Sequence, residues 1–130
     1  MAHRNIQKGV HSQLLAATAL LANGWEIAEP FCPESYDIVA KDPDSGQWKE
    51  IQVKTLQIRE DRGGAIVLHA RKGNGQKYSK DECDFFLGIL DDGSVYLVQN
   101  EGKREYWAQP GTLGKWKRLD TAMTRLTERK

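Results

Sequence analysis

Residues 36–55 decide the fold, and they read Tyr36-Asp37-Ile38-Val39-Ala40, a turn, and then Lys49-Glu50-Ile51-Gln52-Val53-Lys54-Thr55. The intervening residues 42–46 are Asp, Pro, Asp, Ser and Gly, so we expect a β-hairpin with strands at 36–41 and 48–57. Side chains alternate between the two faces of a strand, which puts Gln52 and Lys54 on one face. Because paired strands lie about 4.8 Å apart, Asp37 can approach both side chains if it points to that face.

The chain on either side of this hairpin predicts a helix before it and further elements after it. A helix is expected over 6–23, where Gly24 follows as a cap and apolar residues recur three or four apart: Ile6, Val10, Leu14, Ala17 and Leu21. Further strands are expected at 65–70, 85–90 and 95–99, and a closing amphipathic helix over 115–128 through Trp116, Leu119, Met123 and Leu126. The fold class is expected to be α/β, in the α+β sense of a mixed sheet flanked by helices.

Length and composition favour one folded domain over residues 1–130. The chain has 130 residues, of which 39% are hydrophobic and 28% charged, and these values exclude collagen-like, coiled-coil and fully disordered classes. No stretch approaches about 18 uncharged apolar residues, and the first residues lack the pattern of a secretion signal. No membrane contact is expected, and a cytoplasmic location is the default expectation.

Basic residues are concentrated in two regions although the formal net charge is only +1. Lys and Arg outnumber Asp and Glu in residues 57–77 and in the C-terminal segment, about 102–130. Such regions fit polyanion binding, and solvated surface faces are the alternative. The candidate phosphate contacts are Lys8, Arg59, Arg62, Arg71, Lys72, Lys77, Lys115, Lys117 and Arg118. Trp107 and Trp116 beside the basic segment are typical of core groups, with base stacking or dimerisation as the alternative.

The residues of the hairpin suit metal-assisted cleavage of a phosphodiester. The carboxylate of Asp37 and the amide carbonyl of Gln52 are oxygen ligands of the kind that hard divalent cations take. A bound cation polarises a phosphate and lowers the pKa of a bound water, and Lys54 would supply a fixed positive charge beside it. The alternative is an ordinary solvent-facing strand, with Asp37 a polar residue next to a turn.

This pattern of Asp, then Gln-x-Lys on the next strand, resembles the PD-(D/E)XK nuclease superfamily. The similarity is to its glutamine branch, which includes a cyanobacterial group I intron homing endonuclease, with archaeal Holliday junction resolvases as more distant relatives. It covers about residues 8–99 and extends beyond the hairpin to Lys8-Gly9, Gly24-Trp25, Pro30, Tyr78, Asp84-Phe85-Phe86 and Val95-Tyr96.

The resemblance implies a restriction-endonuclease-like core and a divalent-metal-dependent DNA endonuclease. In that case Asp37, Gln52 and Lys54 are catalytic, Asp37 and Gln52 hold Mg²⁺ or Mn²⁺, and the substrate is duplex or branched DNA. One chain of this size presents one site, so cleavage of both strands implies a homodimer or homotetramer.

One position departs from the pattern of this superfamily. Many relatives carry a Glu on the first helix as an additional metal ligand, and the matching residue here is Gln13. Gln13 and Glu50 are therefore auxiliary site candidates, and Asp37 is the one evident anionic ligand. This departure leaves a second hypothesis open, a non-catalytic module on the same fold that binds nucleic acid or protein.

Overall fold

The fold is taken from a computed structural model, which describes residues 2–123. It begins with helix α1, Ala2–Ala22. Nine strands follow within the described residues: β1 Glu26–Ala28, β2 Ile38–Lys41, β3 Trp48–Thr55, β4 Gln57–Arg59, β5 Ala65–His69, β6 Phe85–Ile89, β7 Val95–Gln99, β8 Glu105–Ala108 and β9 Lys117–Leu119. Short 3-10 helices occupy Glu60–Arg62 and Pro110–Lys115. In residues 2–123 no helix combines the length and the apolar character needed to cross a membrane.

The strands form two sheets. The larger has six strands in the order β1-β2-β3-β6-β7-β9, and the smaller has three in the order β4-β5-β8. All neighbouring strands are antiparallel except β3 and β6, which are parallel. The mixed sheet expected from the sequence is therefore confirmed, and so is the hairpin of β2 and β3.

Two hydrophobic cores lie on the two faces of the larger sheet. One core packs that sheet against α1, and the other packs it against the smaller sheet. Alternation along β6 assigns each side chain to a core: Leu87 faces α1, whereas Phe86 faces the smaller sheet and contacts the rings of Tyr78 and Tyr106. The six-stranded sheet is thus covered by a helix on one face and by three strands on the other.

Helix α1 is confirmed, but it does not pack through the apolar stripe that predicts it. The side chains of that stripe at Ile6, Val10, Leu14 and Leu21 are exposed. The buried face instead carries small side chains such as Ala16 and Ala19, together with Leu20 and Ser12. Alanines let the helix axis approach the sheet closely, and Ser12 Oγ shares a hydrogen bond of 3.1 Å with Thr55 Oγ1 of β3. The periodicity of apolar residues predicts where this helix lies in the sequence but not which of its faces packs against the sheet.

The closing helix expected over 115–128 does not form in the part of that segment that the structure describes, so this prediction is wrong there. Pro110–Lys115 is a 3-10 helix, and β9 follows at Lys117–Leu119. Trp116 is buried in the core beside the smaller sheet and Leu119 in the core beside α1. Residues three apart lie on opposite faces of an extended chain but on the same face of a helix, so only the extended form fills both cores. Residues 124–128 lie outside the described residues.

Gly88 shows how closely Leu56, the residue that follows β3, packs against β6. It lies opposite Lys54 in the parallel pair, and a Cβ added to it would lie 2.6 Å from Leu56 Cδ2. We expect Gly88→Ala to lower the free energy of unfolding by about 1–3 kcal/mol, because Leu56 must shift in a packed core. Denaturant unfolding measures this effect.

The matched control is Gly9→Ala. Gly9 is exposed on α1, and apart from the neighbouring backbone of the helix no atom lies within 4 Å of the added Cβ, so this change should raise stability by about 0.5–1 kcal/mol. Equal unfolding midpoints for Gly88→Ala and the unmodified protein would contradict the packing described.

Candidate active site at the β2–β3 split

Asp37 lies at the point where β2 separates from β3. The register of the hairpin ends with the pair Ile38 and Ile51, and Asp37 is the residue directly before β2. The Asp37 backbone N–H still donates to the Ile51 carbonyl at 2.9 Å. Asp37 therefore lies at the end of the hairpin that carries Gln52 and Lys54.

The pairing of β2 with β3 ends at Ile38, and beyond it the Asp37 carboxylate takes the place of a paired strand as hydrogen-bond partner of the β3 backbone. Its Oδ2 accepts a hydrogen bond of 3.0 Å from the Val53 backbone N–H. The backbone N–H and carbonyl of Glu50 both bond Asp84, which directly precedes β6. Because the backbone groups of successive residues point to opposite sides of a strand, the N–H and carbonyl groups of Ile51 and Val53 point toward β2. The Val53 carbonyl consequently points into the same opening as the Asp37 carboxylate, whose Oδ1 has no hydrogen-bond partner within residues 2–123.

Gln52 lies half-buried beside this opening. Its Nε2 is 3.5 Å from the Val53 carbonyl oxygen, which is at the limit of a hydrogen bond. The amide oxygen and nitrogen exchange places when the amide group turns over, and no other hydrogen bond of the described residues holds it. The side chain can therefore present its oxygen next to the oxygens of Val53 and Asp37.

The Lys54 side chain lies on the face of β3 that points away from α1, where two contacts hold its amine. Its Nζ donates to the Arg71 carbonyl at 2.9 Å and lies 5.0 Å from the centroid of the Tyr78 ring. Burial lowers the pKa of Lys54, and the Asp37 carboxylate partly opposes that shift. Burial also raises the pKa of Tyr78 to about 12, so the phenol is neutral. The amine is thus held between the hairpin and the loop that follows β5.

A cleft of about 320 Å³ opens between α1 and the end of the hairpin. It is lined by Asp37, Gln13 and Val53, together with Ile6, Gly9, Val10, Ser12 and Thr55, but not by Gln52 or Lys54. Asp37 is the only carboxylate among these lining residues. Within residues 2–123, no three His, Cys, Asp or Glu side chains form a group that could hold a metal ion. The uncharged Gln13 amide is the other polar side chain of α1, besides Ser12, that meets this cleft.

Glu50, the second auxiliary candidate, is tied to different partners. Its backbone N–H donates to the Asp84 carboxylate at 2.8 Å, and its carbonyl accepts the Asp84 N–H at 2.8 Å. Desolvation, followed by the charges of Glu34 and Glu50, raises the pKa of Tyr36. Glu50 does not line the Asp37 cleft, so its carboxylate belongs with Tyr36 and Glu34.

The nine candidate phosphate contacts divide into paired and unpaired cations. Four contact a carboxylate: Arg59 with Asp61, Arg62 with Glu105, Lys72 with Glu82 and Arg118 with Asp120. The other five have no carboxylate partner within the described chain: Lys8, Arg71, Lys77, Lys115 and Lys117. Arg71 and Lys77 face each other across a β-bridge, so the loop of residues 71–77 is a small hairpin joined to Lys54. The unpaired cations are the ones able to meet a polyanion without breaking an internal ion pair.

Several contributors to this region have little or no signal in the sequence. The carbonyls of Val53 and Arg71 are backbone groups, which any residue type carries. Tyr78 reads as a core aromatic residue, and only the structure shows its ring beside the Lys54 amine. Asp84 is part of the sequence resemblance, but its bond to the Glu50 backbone N–H appears only in the structure.

The fold is similar to that of a solved bacterial homing endonuclease, I-Ssp6803I. The TM-score is 0.58 at 22% sequence identity, and the similarity covers 78% of this chain and 72% of that one. No protein-family model matches the chain. No curated protein matches it either. The resemblance inferred from the sequence is thus supported as a likeness of fold to a homing endonuclease.

Proposed function

We propose that this protein is a DNA endonuclease that hydrolyses phosphodiester bonds with a divalent cation. The observation that carries the proposal is the Asp37 carboxylate at the strand split, bonded to the Val53 N–H beside Gln52 and the half-buried Lys54 amine. The similarity of fold to a homing endonuclease adds to it. Intron homing and junction resolution are both compatible with such a site.

The oxygen donors at the split fit Mg²⁺ or Mn²⁺. Asp37 Oδ1 and the Val53 carbonyl oxygen are hard ligands at the split, and the Gln52 amide oxygen would join them once the amide group turns over; none has a strong competing hydrogen bond in the described residues. Mg²⁺ usually binds through one or two carboxylates and keeps several waters, so this set suffices without a second acid. A cation bound there would polarise the scissile phosphate and lower the pKa of a water.

Lys54 is proposed as the electrostatic catalyst. Its Nζ is held by the Arg71 carbonyl and the Tyr78 ring, so its direction is fixed before any substrate arrives. A fixed positive charge in a partly desolvated site stabilises negative charge that develops on phosphate oxygens more than a mobile, hydrated lysine does. Burial lowers the pKa of this amine, and the Asp37 carboxylate partly opposes that shift.

DNA is proposed to approach the site between α1 and the loop of residues 71–77. Lys8 is exposed on α1 near the cleft, and Arg71 and Lys77 are exposed on the loop that holds Lys54. Lys8 would then meet the DNA from the side of α1, and Arg71 and Lys77 would meet it from the side of the loop. Because each chain offers one site, cleavage of both strands would use a homodimer or homotetramer.

We predict that Lys54→Ala abolishes Mg²⁺-dependent nicking of supercoiled plasmid and leaves DNA affinity nearly unchanged. The reason is that the amine acts on charge formed during the reaction, whereas most binding comes from other cations. Asp37→Asn should also abolish nicking while it retains an acceptor for the Val53 N–H. A gel assay with Mg²⁺, with Mn²⁺ and with EDTA measures cleavage, and EDTA should stop it.

The matched control is Lys49→Ala, which removes the same charge from the same strand but from the face that carries Ile51 and Val53. It should nick like the unmodified protein. Cleavage by Lys54→Ala at the unmodified rate would remove Lys54 from the proposed mechanism.

A further prediction concerns the cations of the loop of residues 71–77. Lys77→Gln should weaken duplex binding and reduce the slope of log affinity against log salt by about 0.9, which is the effect of one lost phosphate contact. Binding is measured in EDTA over a salt series, with Lys49→Gln as the control of equal charge change. Identical slopes for Lys77→Gln and the unmodified protein would exclude this loop from the DNA interface.

A non-catalytic nucleic-acid-binding module is the second candidate function. The observation that favours it is the cleft beside Asp37, where α1 contributes Gln13 and no acid. A single carboxylate binds a divalent cation weakly, and a protein on this fold could retain DNA binding without efficient cleavage. DNA binding that ignores Mg²⁺ and never leads to scission would support this candidate.

Gln13→Glu tests whether α1 contributes to the cation site. It adds a carboxylate to the Asp37 cleft, so we predict that half-maximal cleavage needs several-fold less Mg²⁺, because ligand charge raises cation affinity. Titration of nicking rate against Mg²⁺ measures the change, and Leu14→Glu on the exposed side of α1 is the control. An unchanged Mg²⁺ requirement in Gln13→Glu would mean that α1 does not reach the cation.

A further inference from the structure

A second cleft, of about 430 Å³, lies between β7, β8 and the 3-10 helix Pro110–Lys115. It shares no lining residue with the Asp37 cleft. Its wall includes Val98, Tyr106 and Trp116, which belong to the core beside the smaller sheet, whereas the Asp37 cleft is formed with α1 on the opposite face of the larger sheet. The two clefts are therefore separate surfaces of the molecule.

Trp107 gives the second cleft an exposed aromatic wall. Alternation along β8 buries Tyr106 and Ala108 and turns Trp107 outward, where 50% of it is exposed. Trp116, across the cleft, is buried to 7% exposure and forms a fixed base. An indole that remains half exposed in a polar-rimmed cleft offers a flat apolar face to a ligand.

The charges around this cleft leave one lysine uncompensated. The Glu101 carboxylate is paired with Lys103, and the Glu105 carboxylate is paired with Arg62. Lys115 has no carboxylate partner within residues 2–123. Its Nζ lies 5.4 Å from the Trp107 ring centroid and 5.9 Å from that of Trp116. The aromatic wall thus carries a positive charge that an anion can meet without breaking an ion pair.

We propose that this Trp107–Lys115 cleft binds an unpaired base of single-stranded DNA, with the base stacked on Trp107 and its phosphate on Lys115. Stacking needs an exposed ring face, and single-strand binding combines such faces with cations that follow the backbone. The choice of DNA rests on the proposed function, whereas the cleft does not depend on cleavage chemistry.

Fluorescence anisotropy of labelled oligothymidylate, in EDTA so that no cleavage occurs, tests this site. Trp107→Ala should weaken oligothymidylate binding about tenfold, and Trp107→Phe should weaken it about threefold or less, because phenylalanine still stacks. Lys115→Gln should reduce the salt slope by about 0.7, as expected for one phosphate of a single strand. Affinity for a fully paired hairpin duplex should not change in the Trp107 variants.

Trp48 provides a matched control, since it is 51% exposed on β3 and lies outside the cleft. Trp48→Ala should bind oligothymidylate like the unmodified protein, and thermal melting establishes that all variants fold. Unchanged affinity in Trp107→Ala, or an equal loss in Trp48→Ala, would overturn the proposal.

Photocrosslinking to an oligonucleotide that contains bromodeoxyuridine gives an independent readout on the unmodified protein. A crosslink in the peptide with Trp107 supports the site, and crosslinks confined to other peptides refute it. Failure of the endonuclease proposal would appear as absent nicking in Mg²⁺ and Mn²⁺. It would leave these binding and crosslinking results as they are.

Discussion

The hydrogen bond from the Val53 N–H to the Asp37 carboxylate is the interaction on which the candidate site depends. Where β2 leaves β3, the sheet would otherwise leave a strand N–H without a partner, and an unpaired backbone group in a partly buried position is costly. Asp37 satisfies that group with one oxygen and retains the other. The same geometry leaves the Val53 carbonyl directed into the opening. A structural requirement of the sheet edge thus creates a small cluster of oxygen atoms.

Lys54 connects this cluster to the opposite face of the sheet. Its amine lies beside Tyr78, an aromatic residue of the core between the two sheets, and it bonds the carbonyl that begins the loop of residues 71–77. The loop is held in turn by the ion pair of Lys72 and Glu82, and the hydrogen bond from Lys72 lowers the pKa of Glu82. The position of the amine is therefore determined by core packing and by the loop together. This explains why a lysine without a carboxylate in contact can still be well fixed.

Much of this arrangement could be predicted from the sequence, because hairpin turns and strand alternation are local. The hairpin, expected from strands at 36–41 and 48–57 and observed as the pairing of 38–41 with 48–51, follows from those signals alone, as does the common face of Gln52 and Lys54. The buried face of α1 could not be predicted, since Ala16 and Ala19 pack tightly while the more apolar stripe through Leu14 remains exposed. The sequence does not predict strand β9, because Trp116 and Leu119 have the spacing of a helix. Their side chains point in opposite directions because each belongs to a different core, and this is visible only in the structure. Backbone ligands such as the Val53 carbonyl have no residue type to identify them.

The ion pairs also decide which surfaces can meet a polyanion, and here the chain's net charge is a poor guide. Arg59, Arg62, Lys72 and Arg118 are each compensated by a nearby acid. Among the nine candidate phosphate contacts, five lack such a partner in the described chain: Lys8 on α1, Arg71 and Lys77 on the loop joined to Lys54, Lys115 at the second cleft and Lys117 on β9. These cations lie on both faces of the larger sheet, since Lys117 shares the α1-side face with Leu119 whereas Lys115 lines the cleft beside the smaller sheet. The pairing of individual cations, and not the net charge of +1, therefore determines where a polyanion can bind without breaking an ion pair.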